Sequence, residues 1–99
     1  MRWLSICGLL VSVLPAYAEP DMPPKRYDRP HPDMTVLRLA PDMVTRLCAE
    51  TMNLYNAAAC ALIGDGEKPC VVLLPIGAPK WFYRHERAHC VGWPADHPR

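Results

Sequence analysis

The sequence predicts a small α+β domain braced by two disulfides, in which an amphipathic helix and a β-hairpin precede a C-terminal helix. Three observations predict it. Apolar residues recur at helical intervals after Pro41, and two apolar runs flank the turn-rich segment Gly64-Asp65-Gly66-Glu67-Lys68-Pro69. The chain has 5 cysteines, of which Cys7 lies in an N-terminal leader and Cys48, Cys60, Cys70 and Cys90 follow it, an even set suited to two bridges.

Residues 1–18 read as a signal peptide. Met1-Arg2 gives a positive start, Leu4 to Leu14 an apolar run too short to span a bilayer, and Pro15 a break before the small-x-small pattern Ala16-Tyr17-Ala18. Cys7 follows Ile6 inside the apolar run, which is not the setting of a lipidated cysteine. The expectation is an exported bacterial protein, periplasmic or secreted, with no membrane anchor once the leader is removed. An oxidising compartment then favours disulfides, and a domain this small needs such a brace because it buries a limited share of its surface. Thiolate ligation of a structural zinc is the weaker reading, since the cysteine spacings contain no CxxC pair.

The formal charge of the chain is +1, and Arg2 belongs to the leader, so the remainder is close to neutral. No Lys/Arg stripe offers a field for nucleic acid, which is excluded as a partner on that ground.

Residues 19–34 carry Pro20, Pro23, Pro24, Pro30 and Pro32 among polar residues, a composition that predicts a disordered, solvated arm. His31, between two of those prolines, reads as a solvated histidine. The folded domain is expected over 35–99. Thr35 to Ala40 suit a short strand ended by Pro41. Pro41 and Asp42 then suit a first helical turn, and Val44, Leu47, Cys48 and Met52 form the apolar stripe of a helix reaching about residue 54. Ala59 to Ile63 and Cys70 to Leu74 make the hairpin arms, although the Ala-rich first arm also suits an extension of the preceding helix. Asp65-Gly66-Glu67 lacks the regular oxygen series of a calcium loop and reads as a turn.

The last helix carries the chemistry. Pro79 suits its start, 79–91 has no internal Gly or Pro, and Gly92 with Pro94 closes it. Within it stands His85-Glu86-Arg87-Ala88-His89, an HExxH motif. Histidines four apart project from one helical face, one turn apart, so their imidazoles can meet one zinc ion at roughly 2.0–2.1 Å. Glu86 is rotated off that axis, where it can take a proton from an attacking water and return it to a leaving amine. The motif arises by accident in on the order of 0.3% of chains this long, so its agreement with the helix and cap signals carries weight.

A catalytic zinc takes three protein ligands, and the third is expected in Gly92-Trp93-Pro94-Ala95-Asp96-His97. His97 leads as the better zinc ligand, with Asp96 as the alternative third ligand or as a carboxylate orienting a ligand imidazole. Trp93 reads as a packing anchor or as a rim for substrate.

The run His85-Glu86-x-x-His89-x-x-Gly92 resembles the opening of the metzincin signature, in which glycine turns the chain so that a third histidine returns to the metal. Here position 95 is Ala and the candidates fall one and two residues later. The segment His85 to Pro98 also resembles the tail of small exported bacterial proteins of unassigned function that end in an HExxHCxGWPxDHP-like sequence. The resemblance implies a minimal zincin-like site and brings no substrate. The functional expectation is an exported zinc-dependent metallopeptidase or peptidase-like hydrolase, acting on a peptide or protein. The alternative is a noncatalytic, disulfide-stabilised zinc-binding or interaction module.

Lengths set the expected cysteine pairing. Five strand residues at about 3.3 Å and twelve helical ones at about 1.5 Å span nearly the same distance, near 17–18 Å, so a helix returning along strand 70–74 brings Cys90 beside Cys70. That leaves Cys48–Cys60 as the second bridge, because the hairpin register sets Cys70 opposite Ile63 rather than Cys60.

Overall fold

The computed structural model describes residues 21–64 and 69–99. The leader and most of the hairpin turn, including Asp65-Gly66-Glu67, lie outside them. After a 3-10 turn at Lys25–Tyr27 come β1 (Met34–Leu39), α1 (Pro41–Met52), β2 (Cys60–Leu62), β3 (Cys70–Pro75) and α2 (Lys80–Cys90). The sheet has the order β1-β3-β2.

Strand β3 is central, and its sequence Cys-Val-Val-Leu-Leu-Pro is apolar throughout because both of its faces are covered. Cys70, Val72 and Leu74 pack with Phe82 and Cys90 of α2, whereas Leu73 packs with Val44 and Cys48 of α1 and with Cys60. A period of two on the strand therefore divides the core between two helices, one on each face.

Strand β2 pairs with β3 as the antiparallel hairpin the sequence predicts, with Cys60 opposite Leu73 and Leu62 opposite Val71. The alternative of a longer first helix does not occur. α1 ends at Asn53, whose left-handed φ of 56° stops it. Strand β1 lies parallel to β3, from Met34 opposite Cys70 to Leu39 opposite Pro75, and α1 lies within the connection between them.

Both expected bridges are formed. Cys48–Cys60 joins α1 to β2, and Cys70–Cys90 joins the start of β3 to the end of α2. Loops of 12 and 20 residues are closed, which in the chain-entropy view stabilises the fold by about 3 kcal/mol per bridge.

The proline-rich segment departs from the expectation of a disordered arm over 19–34. From Asp21 onward it follows the surface of α2. Pro23 is buried, and Asp28 accepts hydrogen bonds from both Arg84 and Arg87. Proline does favour extended, solvated backbone, but one charge clamp and one buried ring are enough to fix such a segment along a helix. His31 stays apart from the metal-type ligands and accepts a hydrogen bond from the Asp33 N–H on Nδ1 at 3.0 Å. Among the described residues, no helix is long and apolar enough to cross a membrane.

Candidate metal centre

Helix α2 presents Phe82 and Cys90 to the sheet and His85, Glu86 and His89 to a cleft beside it. Its end decides where the tail goes. Gly92 has a φ of 109°, the Trp93 N–H bonds the Ala88 carbonyl at 3.0 Å and the Gly92 N–H bonds the His89 carbonyl at 3.2 Å. Those two bonds make a Schellman motif, which needs glycine at the left-handed position and satisfies the last helical carbonyls. The chain then reverses. The His97 N–H bonds the Pro94 carbonyl at 2.9 Å, closing a second turn that brings the His97 ring back to the helix.

The three imidazoles converge. His89 Nε2 lies 3.3 Å from His85 Nε2 and 3.2 Å from His97 Nε2. Among the described residues, His85, His89 and His97 are the group of ligand-type side chains able to hold a metal ion. Asp96, the alternative third ligand, is exposed and outside that group.

The outer ring nitrogens identify the tautomers. His85 Nδ1 donates to the Asp21 carbonyl at 2.5 Å and His89 Nδ1 donates to the Trp93 carbonyl at 2.8 Å. A carbonyl only accepts, so each Nδ1 carries hydrogen and each Nε2 keeps its lone pair. Two lone pairs then face each other with no hydrogen between them, an arrangement a shared cation relieves. Ligands at roughly 2.0–2.1 Å in tetrahedral array stand about 3.3–3.4 Å apart, close to the two separations from His89 Nε2, and all three ligand-type atoms lie within 4.8 Å of one another. Burial holds the pKa of both His85 and His89 below the ordinary imidazole value, with the neighbouring rings adding to the effect, so both imidazoles are neutral at pH 7.

Trp93 is the floor of the cluster. Its indole is 2% exposed, stacks on His89, and meets His85 and His97 edge-on at centroid distances of 5.1 and 4.8 Å. Its Nε1 donates to the Pro98 carbonyl at 2.8 Å, tying down the chain just beyond His97. Of the two roles the sequence leaves open, packing anchor is the one the indole fills, although one surface also lines the cleft.

Glu86 is buried at 8% exposure, with Oε2 4.0 Å from His85 Nε2. Loss of water around the carboxyl pushes its pKa up to about 7. It faces a cavity of about 220 Å³, whose opposite wall is apolar: Met52 and Leu54 at the end of α1, and Ala59, Ala61 and Ile63 on and beside β2. β2 is an edge of the sheet, and Cys60 and Ala61 of that strand line the cleft.

His85, Glu86, His89 and His97 were all visible in the sequence. Asp21, Asp28 and the apolar wall were not. Asp21 acts through its main-chain carbonyl, which has no sequence signature, and Met52 reads as an ordinary core position. No family model, curated protein or solved structure matches the chain.

Proposed function

We propose that the chain is an exported zinc-dependent hydrolase of the peptidase type, with zinc held by His85, His89 and His97. The observation that carries this reading is the pairing of three converging imidazoles with a buried carboxyl that stands beside them, in the cleft. Two of those imidazoles are fixed with Nε2 lone pairs inward. A purely structural site gains nothing from such a carboxyl, since burying it unpaired opposes folding when it ionises.

Bound there, zinc supplies Lewis acidity that polarises a carbonyl and makes water a better nucleophile. The protein supplies the proton handling. A carboxyl with a pKa of about 7 accepts a proton from an attacking water and gives it up to a leaving amine with little bias either way. The apolar wall excludes water from around that transfer, and the open edge of β2 offers backbone donors and acceptors to an extended peptide. Export and kinship with small HExxH proteins rest on the leader-like residues 1–18 and on the tail sequence.

The decisive comparison is the wild type against Glu86→Gln and His85→Ala, with zinc stoichiometry and a broad peptide-cleavage screen measured for each. Glu86→Gln should keep one zinc per chain and lose hydrolysis by roughly 10²–10⁴-fold. His85→Ala should lose the zinc. A wild type that takes up zinc and is stabilised by it, yet cleaves nothing, makes the protein a zinc-braced binding module; one that takes up none at micromolar concentration removes both.

A further inference from the structure

The segment before β1 touches α2 and its tail at points that share no obvious purpose until they are taken together. Asp28 sits at the end of the 3-10 turn and accepts from Arg84 Nε at 3.3 Å, from Arg84 Nη2, and from Arg87 Nη2 at 3.0 Å. Tyr27 packs against the glycine turn, with Cε1 4.0 Å from where a Cβ on Gly92 would stand. Arg99 donates to the Met22 carbonyl at 3.2 Å, so the tail beyond His97 is also held to this segment. At its near end the Asp21 carbonyl receives the His85 Nδ1 hydrogen.

Arg84 and His85 are neighbours on α2, whereas their partners Asp28 and Asp21 are separated by a 3-10 turn. The turn gathers the intervening chain so that one carboxylate can set the position of a carbonyl several residues away. A histidine ligand depends on such an acceptor, because the hydrogen bond on the outer nitrogen fixes both ring orientation and tautomer, and its loss weakens metal binding by about 10–100-fold.

We propose that Asp28 is a positioning residue for the metal centre: clamped by Arg84 and Arg87, it holds residues 21–28 on α2 so that the Asp21 carbonyl fixes His85 with Nε2 facing His89. The proposal takes its metal from the reading above, but its first half concerns the metal-free protein. Proline content in this segment then has a use, since a stiff segment transmits the position of Asp28 to Asp21 better than a flexible one.

The test compares wild type, Asp28→Ala, Asp28→Glu and, as a control that loses a hydrogen bond elsewhere, Thr45→Ala, whose hydroxyl bonds the Ala57 carbonyl. Two quantities are read: the His85 tautomer in metal-free protein near pH 8, by long-range proton–nitrogen NMR, and zinc affinity by competition with a chromophoric chelator. In the wild type, His85 should be the Nδ1–H form. Asp28→Ala should shift it toward a tautomer mixture and weaken zinc binding by roughly tenfold, with partial recovery in Asp28→Glu. Thr45→Ala should change neither, even where its melting temperature falls. An Nε2–H His85 in the wild type overturns the proposal. So does an unaltered tautomer and zinc affinity within twofold of wild type in Asp28→Ala. Should the wild type bind no zinc while its tautomer still responds to Asp28, the metal reading fails and the positioning role stands.

Discussion

The indole of Trp93 stacks on the imidazole of His89 with 18° between the ring planes and 5.1 Å between centroids, while the Trp93 carbonyl accepts the His89 Nδ1 hydrogen at 2.8 Å. One residue therefore holds the His89 imidazole by its ring and by its backbone. The backbone contact survives any substitution at 93, so side-chain variants isolate what the indole does. Trp93→Ala empties a buried site and should destabilise the metal-free protein by about 3–5 kcal/mol. Trp93→Phe keeps a ring but loses the Nε1 bond to Pro98, so it should be milder by denaturant titration, at about 1–2 kcal/mol. Equal losses in the two variants would show that packing on the three imidazoles contributes nothing beyond the tail's hydrogen bond.

His97 occupies the left-handed region with a φ of 57°, which favours glycine. Its side chain is retained there at the expense of backbone strain. His97→Gly and His97→Ala should both lose zinc affinity, by the removal of the third ligand. In the presence of chelator, however, His97→Gly should be more stable than His97→Ala by about 1 kcal/mol, because only alanine keeps the Cβ penalty. Chemical denaturation of the two metal-free variants measures it, and equal midpoints would place no strain at this position.

Much of this centre was legible in the sequence for reasons of spacing. A helix fixes the relation of His85, Glu86 and His89 within one turn, and matched strand and helix lengths set Cys70 beside Cys90. His97 was legible, ahead of Asp96, because imidazole is the better zinc ligand among the few residues that follow the helix. The parallel pairing of β1 with β3 was not, because a crossover partner depends on contacts far along the chain and leaves no local pattern. The ordering of the segment from Asp21 has no compositional signature for a sharper reason: composition reports what a segment does alone, and Asp28 acts only once Arg84 and Arg87 stand on a formed helix.

Glu86 should give the metal-free protein a distinctive pH profile. Its folded pKa, about 7, lies above the ordinary 4.5, so its contribution is fully present below pH 4.5 and is lost as pH rises through about 7. His85 and His89 act in the opposite sense, since their lowered pKa values favour folding as pH rises toward 6.5. The two effects overlap, and Glu86→Gln separates them. With chelator present, wild type should lose stability relative to Glu86→Gln between pH 4.5 and 7.5, by on the order of 3 kcal/mol at most. A pH-independent difference between them would mean that the carboxyl is solvated or paired when ionised.

The two disulfides should differ in what they protect. Cys90 follows His89 directly and is bonded to Cys70 on the central strand, so this bridge fixes the end of α2 where the reversing turn begins. Cys48–Cys60 joins α1 to the edge strand, and although Cys60 lines the cleft, this bridge anchors neither end of α2. Replacing either pair by alanine should lower stability by about 2–5 kcal/mol. Only Cys70→Ala/Cys90→Ala should also weaken zinc binding, by roughly tenfold, because helix fraying at Cys90 releases His89 and the turn that returns His97. Affinities measured well below each variant's unfolding transition separate the two effects. A weakening that is the same in both pairs would mean that overall stability, and not the anchored end of α2, sets the affinity of the three histidines.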